Sequence, residues 1–240
     1  VIVPGSSQED SQKGKTMSIG TAAAQWDHRI IRQHLTTERM ESYELAAHGD
    51  PELAFALYEW NIRASAAAMT TAAMVEVIVR NAMDQQLRRW ADQRHHGQSW
   101  FDVAPLDQQG RNDIAQARAR ATRYRRDREL HGKVIAELTL GFWRYLSASR
   151  YLTALWTPAI GHAFPLSPSN LTVRRIEVDR SLQKLQYLRN RAAHHEPIHR
   201  RNLMDDHDAA VRVTSWISPA CSAWVADRSP IPAIVTGRPC

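Results

Sequence analysis

Cysteine is nearly absent from this 240-residue chain. Cys221 and Cys240 are the only two, too few for a disulfide framework in a chain of this size. Lysine is almost as scarce, at Lys13, Lys15, Lys133 and Lys184, so the net charge of +6 rests on arginine. Such a balance points toward a polyanionic partner, although composition alone carries little of that argument. Glycine and proline number 10 and 11 and are thin through the middle, where Ala, Leu, Arg and Gln dominate and favour helix. No stretch alternates with period two far enough to suggest a sheet. The apolar run before Glu76 is too short and too rich in Thr and Ala for a membrane span. Residues 1–16 are polar, with no apolar segment ahead of a cleavage site. These absences lead to the expectation of an all-α, cytoplasmic protein without a membrane segment. Its length allows one large domain with a sizeable core.

With Met17 taken as the natural start, residues 1–16 read as a tag or a disordered upstream extension. Residues 17–228 read as the helical domain and 229–240 as a loose tail. A first helical region is expected over 26–47 and is broken by Gly49-Asp50-Pro51. Asp50 with Pro51 is a cap and first-turn pair for the next helix, which carries Leu53, Leu57, Trp60 and Asn61. A long apolar helix follows over 65–90, then a loop over 97–105, a strongly basic helix over 107–130 and a hydrophobic helix pair over 134–156. A connector over 158–170 leads to a helix over 171–195 stopped by Pro197. An amphipathic helix is expected over 203–217, with no internal repeat anywhere.

The run Arg189-Asn190-Arg191-Ala192-Ala193-His194-His195-Glu196-Pro197-Ile198 carries the strongest functional signal. Upstream of it Val178, Leu182, Leu185, Leu188 and Ala192 form one apolar helical stripe. At about 100° per residue Arg189 falls inside that stripe, beside Leu185 and Ala192, and a guanidinium cannot shed its charge, so it needs an anionic partner or a wet cleft. The 65–90 helix repeats the oddity: Glu76 and Arg80, an acid and a base four apart in the favourable order, occupy two positions of the apolar stripe of Met69, Ala73, Met83, Leu87 and Trp90, flanked by Val75, Val77, Ile78 and Val79. Such a pair should be partly or fully buried. It serves either as a structural network, with Glu76 also pairing Arg189, or as the wall of a cleft that includes Asn81.

An arginine, a small polar residue, a few more residues and then a histidine resembles the signature of the HEPN superfamily of helical ribonucleases. The wording is closest to the Abi-like (abortive infection) proteins of bacteria. Further blocks share the likeness, in the family's order: Tyr58-Glu59-Trp60-Asn61 with the helix ending Val75-Glu76-Val77-Ile78-Val79-Arg80-Asn81-Ala82; Leu138-Thr139-Leu140-Gly141-Phe142-Trp143 with Leu155-Trp156; and Arg189 to His199 continuing into Trp216-Ile217. They span roughly 35–224. The resemblance implies a HEPN-like helical bundle with additional helices, its site at a helix end and shared across a homodimer interface. It implies RNA cleavage in phage defence or as a toxin, with tRNA a candidate target and an antitoxin a candidate partner. It also favours a site role for Glu76, Arg80 and Asn81.

The chemistry suits the residue types. A histidine titrates near neutrality and can take a 2′-hydroxyl proton, while arginine offers fixed bidentate donors to phosphate oxygens. The products would be a 2′,3′-cyclic phosphate and a 5′-hydroxyl, with no cofactor. Arg189 and His194 are the expected catalytic residues, Asn190 positions the phosphate or His194, His195 supports them, and His199 and Arg200 lie close enough past Pro197 to touch substrate. Five steps of ideal helix separate Arg189 from His194 by about 140°, so either the helix loosens ahead of Pro197 or the two meet across a dimer. Taken alone, His194 would read as a histidine at a helix C-terminus, favoured by the dipole. A metal site built from His194, His195, Glu196, His199, Asp205, Asp206 and His207 is the rival, but no known ligand spacing fits. Arg123, Arg125 and Arg126, with Tyr124, are candidate RNA contacts; the competing reading is a solvated face paired with Asp113, Asp127 and Glu129. Tyr187, one turn from Arg191, is a candidate target for a silencing modification. The alternative function is a non-catalytic RNA-binding or protein-interaction module on the same scaffold.

Overall fold

The computed structural model describes residues 27–240, so the reading of 1–16 lies outside the described residues. Within them the chain is 74% helix with no strand, as the composition implies. Asp27 caps α1 (His28–Leu35) by accepting the Arg29 and Ile30 amides. Thr36, at φ 68°, turns the chain into α2 (Thr37–Ala46), which splits the helix expected over 26–47. Gly49 takes φ 84°, and Asp50 then caps α3 (Pro51–His95) through the Glu52 and Leu53 amides.

Where two helices were expected, α3 runs unbroken for 45 residues, roughly 68 Å at 1.5 Å per residue. Nothing between Asn61 and Ser65 interrupts it: the segment holds neither Gly nor Pro, and Asn61 turns inward to a distant partner instead of capping. One window of α3 is long and apolar enough to cross a membrane by length and composition, where the apolar run in the sequence reads as too short, and 44% of that window is buried inside the structure.

Four shorter helices follow: α4 (Trp100–Val103), α5 (Gln108–Ala121), α6 (His131–Glu137) and α7 (Leu140–Tyr145). Short 3-10 and π turns over 149–156 and 160–163 lead to α8 (Leu171–Ala193), then α9 (Leu203–Ser215), α10 (Pro219–Arg228) and α11 (Ile231–Thr236). Residues 229–240 are thus partly helical rather than loose. Ile231 is fully buried, and the Ile234 carbonyl accepts from Trp60 Nε1 at 2.8 Å. A buried chain of hydroxyls reinforces this docking: Thr71 Oγ1 meets Ser229 Oγ at 2.8 Å, and His207 Nδ1 meets the same Ser229 oxygen at 3.1 Å.

The apolar interior forms two clusters that α3 and α8 both cross. One gathers Val75 to Trp90 of α3 with Trp100, Trp143, Trp156, Phe164 and Val178 to Leu185 of α8. The other gathers Leu57 to Ala68 with Met40, Tyr43, Leu188, Ala192, Ile198 and Ile231. Leu185 belongs to the first and Leu188 to the second, so Arg189 stands at the seam. A charged side chain costs least where the two cores part, because it can reach outward there.

Candidate active site

The stripe of α8 packs as its spacing predicts. Val178, Leu182, Leu185, Leu188 and Ala192 are all buried, Arg189 is half-buried, and Asn190 and His194 are exposed. Arg189 Nη1 donates to Asn190 Oδ1 at 3.4 Å, a long bond that leaves most of the guanidinium's donors open.

How the helix ends answers the geometric question left by the sequence. His194 is the C-cap residue at φ −91°, ψ 10°, with its amide on the Asn190 carbonyl at 3.0 Å. His195 swings to φ 57°. Its amide bonds the Ala192 carbonyl at 3.2 Å, and the Glu196 amide bonds the Arg191 carbonyl at 2.8 Å. This is a Schellman closure with histidine in the left-handed position that glycine usually fills. Pro197 follows, where a helix cannot resume. The helix therefore stays regular through Ala193, and within one copy no hydrogen bond or ion pair joins Arg189 to His194 among the described residues.

Contacts from far away in sequence pin this segment. The Ile198 amide, just past Pro197, donates to the buried Asn61 Oδ1 at 2.7 Å. Arg39 donates to the His195 carbonyl. Arg191 reaches the Pro197 carbonyl at 2.8 Å, Glu196 at 3.2 Å and the Tyr187 hydroxyl at 3.1 Å. Sequence reasoning gave Asn61, Arg39 and Arg191 no role. The signal for Asn61 was there: it is an amide beside the buried stripe of Leu57, Trp60 and Ala64.

Glu76 and Arg80 are half-buried, flanking a buried α3 stripe that runs through Val75, Val79 and Met83 rather than through the pair itself. Burial raises the Glu76 carboxyl above its ordinary value, and the charges of Arg189 and Arg80 and the Leu140 amide pull it back down. The same carboxylate therefore feels Arg189 of α8, Arg80 of α3 and the first turn of α7. It forms no direct ion pair with either arginine among the described residues, and Arg80 Nε is buried without a partner there. The expected pairing of Glu76 with Arg189 is thus a long-range attraction rather than a contact.

The Leu138–Trp143 block packs beside α8. Thr139 caps α7, its hydroxyl accepting from the Phe142 amide, and Phe142 and Trp143 are buried. At Gly141, α7 approaches α8 so closely that an added Cβ would lie 2.9 Å from Gln186 Nε2.

Other expected residues fall elsewhere. Asn81 and His195 are exposed. His199, expected to touch substrate, is fully buried, its ring tilted against that of Tyr43 at 4.7 Å between centroids. Burial pushes its pKa down to about 4, aided by the charges of Arg200 and Arg238. The basic helix expected over 107–130 stops at Ala121. Arg123, Tyr124 and Arg125 instead form a left-handed turn at φ 46°, 56° and 71°, a conformation that costs about 1–2 kcal/mol per non-glycine residue. Arg118 pairs with Asp102 and Glu129, Arg120 with Glu137 and Arg123 with Asp127. Arg125 and Arg126 are exposed and make no ion pair among the described residues.

The rival metal donors are dispersed. Asp206 is held by Arg201 through two bonds of 2.5 and 2.6 Å, His207 bonds Ser229, and His199 is enclosed. Among the described residues no three His, Cys, Asp or Glu side chains converge. Comparison with known proteins adds no relative: no family model matches the chain, and no curated protein or solved structure is similar to it. The likeness to Abi-like HEPN proteins therefore rests on the sequence blocks quoted above.

Proposed function

We propose that this chain is a cytoplasmic HEPN-type endoribonuclease of the Abi-like kind, working without a metal at the end of α8. The carrying observation is the pairing of a half-buried arginine at the seam of two cores with an exposed asparagine and histidine at a helix end. Arg189 has no direct carboxylate partner among the described residues, so its donors are open to a phosphate. A guanidinium held by the fold stabilises the negative charge that grows on a phosphorane without reorganising. His194 Nδ1 or Nε2 takes the 2′-hydroxyl proton, the 2′-oxygen bonds to phosphorus, and the bond to the 5′-oxygen breaks. That oxygen is protonated by water or by the corresponding histidine of a second copy. The substrate must be RNA, because DNA lacks the attacking hydroxyl.

No hydrogen bond joins Arg189 to His194 within one copy, and the reading pools the motifs of two copies in a homodimer, one copy's arginine serving the other's histidine. Glu76 attracts Arg189 through its charge, and Arg125 and Arg126 supply further phosphate contacts. The biological setting that fits is phage defence or a toxin acting on RNA such as tRNA, restrained by an antitoxin.

The test is RNA cleavage by purified chain in EDTA, alongside Arg189→Ala and His194→Ala with folding checked by circular dichroism. Cleavage by wild type alone, with cyclic-phosphate ends, is the expected result. Mixing the two inactive variants should restore part of the activity if the site is composite. Equal cutting by both variants would remove the site assignment. The same lack of contact between Arg189 and His194 favours the second reading, a non-catalytic RNA-binding module; binding without cleavage across a panel of RNAs would select it.

A further inference from the structure

Four buried polar atoms at or behind one cavity have no hydrogen-bond partner among the described residues. They are Ser42 Oγ, Tyr43 Oη and both ring nitrogens of His199. The Ser42 backbone approaches the His199 ring without reaching hydrogen-bond geometry at either nitrogen. Buried polar side-chain atoms in folded proteins are satisfied in the large majority of cases, and each exception asks for a physical reason. Ser42 and His199 line a cavity of about 380 Å³ whose rim is Tyr187, Arg191, Arg200 and Arg201. Tyr43 stands behind the His199 ring.

The rim is built for an anion. Arg191 and Arg201 both lie over the Tyr187 ring, 5.6 and 4.9 Å from its centroid. Their positions are fixed by Glu196 and Asp206, so the two carboxylates offset two of the three guanidinium charges. Arg200 is exposed and makes no ion pair among the described residues, which leaves about one positive charge in excess. Arg201 Nη1 makes no hydrogen bond among them. Facing the cavity, the Ser42 hydroxyl and the rim's guanidinium N–H groups are donors, and the neutral His199 ring offers one N–H and one acceptor nitrogen. Such a set matches a tetrahedral oxyanion. Tyr187 and Arg191 leave α8 about 200° around the helix from Arg189, so the cavity opens on the side of α8 away from that residue.

We propose that this cavity is a phosphate-binding subsite that takes the phosphate group of a nucleotide, separate from the Arg189 and His194 chemistry. The phosphate could belong to a nucleic-acid strand or to a free nucleotide, and the chemistry of recognition is the same.

Thermal unfolding of the full chain in phosphate-free buffer at fixed ionic strength, titrated with inorganic phosphate or with AMP, tests this. Wild type should gain Tm saturably with both. Arg200→Ala should keep the wild-type Tm without ligand and bind at least tenfold more weakly. His199→Phe keeps an aromatic ring but removes the orphaned nitrogens. It should melt no lower than wild type without ligand and show no saturable gain. Equal gains in all three proteins, or none in wild type, would overturn the proposal; the latter would mean that the orphaned atoms are met by water alone. If His199→Phe fails to fold, Arg200→Ala against wild type decides. Binding of an all-deoxy oligonucleotide, which cannot be cleaved, separates the sources. A tenfold loss in Arg200→Ala assigns the phosphate to a strand. Unchanged oligonucleotide binding with AMP binding lost assigns it to a free nucleotide. Because the readout is binding, the result stands whether or not the chain cuts RNA.

Discussion

Replacing Asn61 by alanine should loosen the segment that carries His194 and His195 from a distance of 137 residues in sequence. The Asn61 side chain is buried, and its oxygen is the acceptor for the buried Ile198 amide at 2.7 Å. Alanine would leave that amide without a partner in the protein. An unpaired buried donor costs about 1–3 kcal/mol, more than the net worth of an ordinary hydrogen bond. In a chain of this size each kcal/mol moves Tm by about 2–4 °C, so Asn61→Ala should melt roughly 2–12 °C below wild type. Far-ultraviolet circular dichroism would follow the melt, and hydrogen exchange would report the Ile198 amide directly. Exchange at Ile198 should quicken more than at Leu182 or Leu185 in the middle of α8. If the proposed ribonuclease reading holds, cleavage should fall at temperatures where the variant is still folded. A melting loss within 1 °C and unchanged exchange would show that another group satisfies Ile198, and the anchoring role would fail.

Acidification gives a second expectation. Burial lowers the folded-state pKa of His199 from 6.5 to about 4, so between those values the unfolded chain binds the extra proton and stability falls as pH drops. That linkage is worth roughly 3 kcal/mol at full extent, so His199→Phe should gain on wild type by about that amount from pH 7 to pH 4; a pH-independent difference would refute it. His195→Gly should relieve the left-handed strain and raise stability by about 1 kcal/mol, seen as a higher Tm. An unchanged or lower Tm would mean that the imidazole's own contacts outweigh the strain. For Glu76 the sign is opposite to that of His199: the folded chain holds the proton more tightly, so stability falls as pH rises from 4.5 through the raised value. Glu76→Gln should flatten that fall and be at least as stable at pH 7, whereas a markedly lower Tm would show that attraction to Arg189 and Arg80 outweighs burial. Arg125→Glu with Arg126→Glu should weaken RNA binding and flatten its salt dependence. Unchanged affinity would remove these residues from the RNA surface.

Sequence alone determined what depends on neighbours within a few turns. The period of Val178, Leu182, Leu185, Leu188 and Ala192 announced the buried face of α8, and Asp50-Pro51 announced the start of α3. The misplacement of Arg189, Glu76 and Arg80 among apolar residues marked their partial burial, because side chains three or four apart share a helix face in any fold. Only the tertiary structure decided what depends on contacts between distant segments. It ran α3 through Asn61, whose amide serves Ile198 instead of capping a helix, and docked α11 through Trp60 and the Ser229 hydroxyl. It drew His199 under the loop against Tyr43, where the sequence showed only a histidine past a proline. It also turned Arg123 to Arg125 left-handed, where the run of basic residues reads as continuing helix. Helical period and caps are short-range properties written in consecutive residues. Burial and hydrogen-bond partnership belong to pairs of segments, and for Asn61 and Ile198 no local pattern names the partner.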